Sequence, residues 1–481
     1  MISGDEVNVL IRRYLQESGF QHTAFLFGRE SLLDRTEYKD VQLPPQAMIN
    51  ILKKGMLYMQ LEKGINERAK TDDSADNIIN SIVDSIKSKE PFPVLQQPLQ
   101  QVHQQSQPQK SRPHPPSPPP VPETTDLHPS TGICLRGHNG DVYCGAWTPD
   151  GHYLATGSSD ATAIIWEIEN HSNISNYILD HATQQQRSDK DISSLAWNST
   201  GTILATGCYD GSARLWTNHG ELKFVLVKHS EAVFTVQFSP DGKTLLTGSS
   251  DTKIIAWSVI TGEAIQVFNH HDQRAYDVDW LDNKTFASCS GDRKICICSL
   301  GGQRPIHVLH GHTSDVNKIA WDSTKKMLAS CSDDMTVRVW RPFERAAPIV
   351  LQGHTEHVYT IKWVPHSGSN SNKHLLASGS FDFTVRLWDV TNHTCLHVFK
   401  KHTHRIYTIS FSPKGRFFVS GGVDTMLYIW RTVDAALIAS YPAGGCIFEA
   451  IWNPNGEDIA LCLADGIVVV LPTNTIPLYD E

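Results

Sequence analysis

The stretch that decides the fold is residues 311–340, GHTSDVNKIAWDSTKKMLASCSDDMTVRVW. Three hydrophobic runs are separated by turn residues. The stretch opens on Gly311 and His312, passes Asp334 and closes on Trp340, six positions after the Asp. Short apolar runs bounded by Ser, Thr and Asp clusters read as strand, turn, strand, turn, strand.

The same pattern recurs along the chain about every 40 residues, a period at which one supersecondary unit must stack on its neighbours to bury its faces. Aligned on the Asp and the residue six positions later, the units are Asp160/Trp166, Asp210/Trp216, Asp251/Trp257, Asp292/Cys298, Asp334/Trp340, Asp382/Trp388, Asp424/Trp430 and Asp465/Leu471. Four residues before each Asp stand Thr156, Thr206, Thr247, Ser288, Ser330, Ser378 and Ser420, with Leu461 in the eighth unit. The opening histidines are His138, His181, His229, His271, His312, His354 and His402, with Ala443 in the eighth. Four residue types in fixed register resemble the WD40 repeat, although a strict Trp-Asp pair occurs only at Trp388-Asp389. The expected fold is an all-β, eight-bladed WD40 β-propeller.

Repetition also decides what the His, Ser/Thr and Asp residues do. A hydrolase needs one nucleophile and one base, whereas this chain carries seven near-copies of the set. In WD40 folds these side chains form a hydrogen-bonded chain inside each blade, so they are assigned to stability. No nucleophile-base pair, metal-ligand spacing or phosphate loop stands apart from the repeats. The expectation is a protein without catalytic residues, metal or cofactor.

The repeats also set where the ring closes. Gly132 to Arg136 precede the first Gly-His pair, and the chain ends ten residues after Leu471, too soon for a fourth strand in the eighth unit. The N-terminal segment is therefore expected to complete the last blade and remove an exposed sheet edge. Two insertions depart from regularity, in the polar run Gln184 to Asp191 and around Ser367 to Lys373, and such insertions map to loops.

Ahead of the repeats lies a different kind of sequence. Ser3 to Glu6 has the form of a capping box, and Val7, Leu10, Ile11, Tyr14 and Leu15 then make one apolar helical stripe. Gly19 stops that helix and Phe20 folds back on its end. A second helix carries Ala24 and Phe27. Two such helices bury too little to stand alone and are expected to meet a second copy. Leu10, Tyr14, Leu15, Gly19, Phe20, Thr23, Ala24, Phe27 and Glu30 resemble the LisH dimerisation motif. Pro44 and Pro45 start a third helix whose Met48, Leu52, Met56 and Met59 share a face suited to partner helices. The domains are read as a small all-α LisH oligomerisation and partner-binding unit at 1–67, a flexible Gln/Pro-rich linker at 68–130 with a short helix at 75–89, and the propeller at 131–481. Composition supports the linker, since its glutamines run into prolines from Pro113 to Pro122 and cannot build a core.

On a propeller, binding surfaces lie on the faces. Five residues after the opening His, where each inner strand begins, stand Tyr143, Phe234, Tyr276, Asn317, Tyr359 and Tyr407, with Phe448 in the eighth unit. The residue just before this position is also apolar. That break in period two predicts a bulge, which re-aims a side chain. An aromatic ring at the channel mouth is the expected peptide-binding face.

Charge and cysteine usage narrow the setting. Residues 1–130 hold 14 Lys or Arg against 16 Asp or Glu, and the remainder holds 28 against 35, so the repeats are mildly acidic. Such a platform disfavours direct nucleic-acid binding and suits basic partners. All ten cysteines lie from Cys134 onward without a C-x-x-C pair, which reads as reduced intracellular thiols. No apolar run resembles a signal peptide or a membrane span.

Taken together, EVNVLIRRYLQESGFQHTAFLFG, LPPQAMINILKKGMLYM, TFASCSGD with CICSLGGQRPI, and ASCSDDMTVRVW resemble the transducin-β-like corepressor-complex family, the second stretch matching the segment called F-box-like there. That resemblance implies a non-enzymatic nuclear scaffold in transcriptional repression. It implies self-association and a groove for corepressor scaffold proteins at Leu10, Tyr14, Leu15, Phe20, Ala24 and Phe27, with Met56 and Met59 beside it. It further implies a class I histone deacetylase in the same complex, histone tails on the propeller and ties to ubiquitin-proteasome machinery. Two other readings fit a LisH arm on a WD40 propeller: a subunit of a spliceosomal or general transcription complex, and a substrate adaptor of a ubiquitin ligase. The adaptor reading is weakened because Trp388-Asp389 is followed by Val390 and Thr391 rather than by the Arg of a W-D-x-R motif.

Overall fold

A computed structural model describes residues 125–170, 173–181, 190–365 and 374–478. The arm, the 75–89 helix, the second insertion and all of the first but Lys190 and Asp191 fall outside these residues. The described chain forms eight antiparallel sheets, seven of them built by four consecutive strands. Blade five, the stretch quoted above, comprises Val316–Trp321, Leu328–Ser332, Val337–Trp340 and Ile349–Leu351. Its innermost strand alternates buried Val316, Ile319 and Trp321 with channel-side residues, while its second strand is buried throughout.

The eighth blade is closed from the other end of the chain. Ile133–Arg136 pairs antiparallel with Ile467–Pro472, with Ile133 opposite Val470 and Arg136 opposite Ile467. Leu135 is thereby buried with Val142, Trp147, Val468 and Val470. The expected clasp is present. Ahead of it, in a segment assigned to the linker, Thr125–Asp126 adds a fifth strand to blade seven, parallel to Leu437–Pro442. Asp126 accepts the Ser440 hydroxyl at 2.5 Å, Leu127 is buried, and the Tyr441 hydroxyl donates to the Pro129 carbonyl at 3.0 Å. The chain thus joins the propeller a few residues before the first repeat signal, through contacts no repeat alignment contains.

Core packing runs between blades. Ile295 and Ile297 face blade five, joining Val316, Ile319 and Trp340, while Cys296 and Cys298 face blade three with Ile254 and Phe268. The two cysteines share a face, as period two requires. All ten cysteines are free thiols. A second set of contacts latches inner strands together: the Trp indoles of Trp147, Trp197, Trp280, Trp321 and Trp363 each donate to a carbonyl of the preceding blade, at 2.8–3.3 Å.

Within blades the polar chain forms as expected. In blade five the Trp340 indole donates to Ser330 Oγ at 2.9 Å, Ser330 lies 2.7 Å from His312 Nε2, and His312 Nδ1 lies 2.8 Å from Asp334. Blades three, six and seven repeat it on His229, His354 and His402. Blade four has the His271, Ser288 and Asp292 contacts but Cys298 in place of the indole. Blade eight replaces the set with buried Leu461 and Leu471. Blade two differs: His181 Nδ1 bonds the Leu179 carbonyl, and Asp210 turns to Arg214 at 3.2 Å.

Buried His181 gives this propeller an acid limit. Burial, reinforced by the Arg214 charge, pushes the His181 imidazole down to about 3. The unfolded chain protonates a histidine near 6.5. Between these values it binds more protons than the native state, so stability falls as pH drops from about 6.5 towards 3. The Asp251 and Asp292 carboxyls, which burial raises but the histidine and backbone N–H contacts together hold down to about 2, add a further loss below about 4. Thermal unfolding followed at pH 7, 5.5 and 4 is expected to show a falling midpoint. A midpoint unchanged over that range would contradict the assignment of His181 as a neutral, buried imidazole.

Candidate functional site: the channel mouth

The bulge predicted from sequence occurs in all eight inner strands. In blade six Val358 pairs with Ser380 and Thr360 with Gly379, so Tyr359 is skipped. The same skip falls at Tyr143, Ser193, Phe234, Tyr276, Asn317, Tyr407 and Phe448. An extra residue frees its side chain from the strand's alternation.

Those side chains form two arcs rather than one ring. Tyr359 meets Tyr407 edge-on at 5.5 Å, Tyr407 stacks on Phe448 at 6.2 Å, and Phe448 meets Tyr143 at 5.1 Å. Phe234 stacks on Tyr276 at 6.0 Å as a second arc. Ser193 and Asn317 separate the arcs. Ser193 donates to the Val233 carbonyl, and the Asn317 amide donates to Asp333 at 2.7 Å and to the Val358 carbonyl at 3.0 Å. Tyr359 is the most open of the six predicted aromatics, 45% exposed, and the others are half-buried.

Two further positions per blade complete the mouth. The residue two before the bulge accepts, through its carbonyl, the N–H of the residue just before the blade's Asp. This pins Asp141 beside Ser159, Asp191 beside Tyr209, Arg274 beside Gly291, Asp315 beside Asp333, His357 beside Phe381 and Arg405 beside Val423, at 2.9–3.0 Å. Tyr209 and Phe381 extend the arcs: Tyr209 meets Phe234 at 5.8 Å, and Phe381 lies at 5.5 Å from Tyr359 and 5.9 Å from Tyr407. The Arg405 guanidinium sits over Phe381 at 4.9 Å. Neither aromatic is among the sequence expectations, yet both carried a signal. They stand immediately before Asp210 and Asp382, where other repeats have Ser159, Ser250, Gly291 or Ala464.

The electrostatics favour hydroxyl donors. Burial, then the Asp191 and Asp141 charges, push the Tyr143 hydroxyl well above its usual range. Burial and the Asp315 charge do the same to Tyr276, whose hydroxyl donates to Asp315 at 3.0 Å. Further along the inner strands, side chains bridge neighbouring blades: Asp277 accepts the Ile319 N–H at 3.2 Å, Asp279 the Trp321 N–H at 2.8 Å and Glu449 the Gly145 N–H at 2.8 Å. Burial raises the Asp279 carboxyl to about 6. The mouth is thus an aromatic rim with mixed charge. The arm residues Leu10, Tyr14, Leu15, Phe20, Ala24, Phe27, Met56 and Met59 lie outside the described residues.

Comparison with known proteins gives the fold a lineage. The model of the WD domain, G-beta repeat, matches seven segments from 130–167 to 393–431, and the LisH model matches residues 5–31. The WD40 domain of Sif2 superposes with a TM-score of 0.62 at 25% identity, covering 71% of this chain and 98% of that one. These findings define a LisH-containing WD-repeat propeller protein. The F-box-like/WD repeat-containing proteins TBL1X of Mus musculus and TBL1Y of Homo sapiens are 38% and 37% identical, each over 98% of this chain and 99% of its own length. The chain belongs to their family, the transducin-β-like proteins.

Proposed function

We propose that the chain is a non-enzymatic scaffold subunit of a nuclear histone-deacetylase corepressor complex. The end-to-end likeness to TBL1X and TBL1Y, arm included, carries this reading. In it, residues 1–67 self-associate and take corepressor helices through Leu10, Tyr14, Leu15, Phe20, Ala24, Phe27, Met56 and Met59. Residues 68–130 supply most of the tether, and the mouth takes histone-tail or regulator peptides on Tyr143, Phe234, Tyr276, Tyr359, Tyr407 and Phe448. The geometry supports a peptide ligand because aromatic side chains presented on a rigid rim offer contact area at low entropic cost. Ubiquitin-proteasome machinery is a further partner in the same reading.

Recruited to a promoter by fusion to a DNA-binding domain, the full chain is expected to lower reporter transcription, with the effect relieved by a class I deacetylase inhibitor. Unchanged transcription with the fusion expressed and nuclear would contradict the reading. For the mouth, Tyr359→Ala with Tyr407→Ala is expected to weaken binding of histone-tail peptides about tenfold, as loss of interface aromatics does. The same variant should unfold within a few degrees of the parent. A large drop in melting temperature would make these residues core instead.

A further inference from the structure

One part of the mouth is neither aromatic rim nor polar gap. Between blades four and five lies a cleft of about 650 Å³, lined among others by Arg274, Tyr276, Gly291, Arg293, Lys294 and Asp315. Gly291 helps to keep it open. At this position four blades carry Tyr209, Asp333, Phe381 or Val423 and three carry Ser159, Ser250 or Ala464, and a Cβ on Gly291 would sit 3.2 Å from Asp315 Oδ2 and 3.5 Å from the Tyr276 ring. A larger side chain would occupy the space that the cleft leaves open.

The charges around the cleft are unequally satisfied. Asp292 is held by His271 at 3.0 Å and by the N–H groups of Asp272 and Lys294. Asp272 takes the Lys294 ammonium at 2.6 Å, and Asp315 takes the Tyr276 hydroxyl at 3.0 Å. Each carboxylate in the wall therefore has an internal donor. Arg293 stands apart. Its guanidinium is exposed and makes no hydrogen bond or ion pair among the described residues. Its backbone takes the left-handed conformation, φ 69°, as do Ala161, Thr252, Met335, Phe383 and Thr425 at the same turn position, where blades two and eight have Gly211 and Gly466.

We propose that this cleft is an oxyanion subsite of the mouth, in which the Arg293 fork takes an acidic side chain of a bound peptide while a neighbouring apolar side chain rests on the Phe234–Tyr276 arc. Arg presents planar paired donors that match a carboxylate or a phosphate. Tyr276 belongs to both the arc and the cleft wall, so one short extended segment spans them. The subsite rests on the reading of the mouth as a peptide-binding face. It requires that the preferred ligand carry an oxyanion beside its aromatic or aliphatic anchor, rather than basic residues alone.

The test uses the full-length protein and fluorescein-labelled octapeptides read by anisotropy. One peptide carries two glutamates beside a tyrosine, a second carries phosphoserines in place of the glutamates, a third carries glutamines, and a basic histone-tail peptide is the fourth probe. Binding of the glutamate or phosphoserine peptide at least tenfold tighter than the glutamine one, lost in both Arg293→Glu and Gly291→Leu, supports the subsite. The stronger of the two acidic peptides identifies carboxylate or phosphate as the preferred group. Tail binding with no preference for acidic over glutamine peptides, or acidic binding unaffected by Arg293→Glu, overturns the subsite while leaving the mouth reading standing. No binding of any probe overturns both. Unfolding midpoints of the two variants, compared with the parent, exclude loss through misfolding.

Discussion

Leu135→Asp is expected to cost about 4 kcal/mol or more, the range for a carboxylate placed unpaired in an apolar core. Leu135 is 5% exposed and lies among Val142, Trp147, Val468 and Val470, so it belongs to the interface between the last blade and the first. The strand carrying it runs on into the first blade and so ties the ring's two ends together, beside the Trp147–Ile451 and Gly145–Glu449 hydrogen bonds that also join them. Losing it leaves the eighth blade with three strands and an open edge, a form that invites association with other chains. At roughly 2–4 °C per kcal/mol for a large domain, the unfolding midpoint should fall by about 10 °C. Cys134→Ser, on the same strand but exposed, is the control and should leave the midpoint within about 2 °C. Equal midpoints for Leu135→Asp and the parent would mean that the clasp contributes little to closure.

The second large effect is on assembly. Leu10→Asp with Phe20→Asp places two charges on the stripe that is proposed to meet its copy, within the segment matched by the LisH model. Light scattering on the parent is expected to give a multiple of 53.6 kDa, and on the variant the mass of one chain. The propeller should unfold at the same temperature in both, because Leu10 and Phe20 lie in the LisH segment and not in the repeats that build the blades. A variant that keeps the multiple mass would assign self-association to another part of the chain.

How much of this was legible in sequence follows from what each feature depends on. The blades were legible because their polar chain needs the same four residue types at the same spacing each time, and alternation sets which face is buried. The clasp was legible because an incomplete last unit and a spare first strand require each other. The bulge was visible as two consecutive apolar residues at a point where strands alternate. The Thr125–Asp126 strand was not, since it pairs through backbone groups and one side chain, Asp126, that no periodic signal marks. The divergence of blade two was hidden as well: His181 and Asp210 stand in register, and only the structure shows Asp210 turned to Arg214. Within the mouth, the six aromatics were legible as positions, but not their division into two arcs by Ser193 and Asn317. Tyr209, Phe381 and Gly291 sit one residue before the repeat's Asp. That position varies freely between blades because it builds the mouth and not the blade.

The central claim is that this propeller works as part of a deacetylase assembly reached through its arm. The most direct measurement is lysine deacetylase activity in eluates of tagged protein purified from nuclear extract, full length against a chain lacking residues 1–70. Activity that accompanies the full-length protein and is absent from the shortened one, with both propellers folded, is the expected result. Activity absent from both would contradict the corepressor assignment and place the chain in another nuclear assembly.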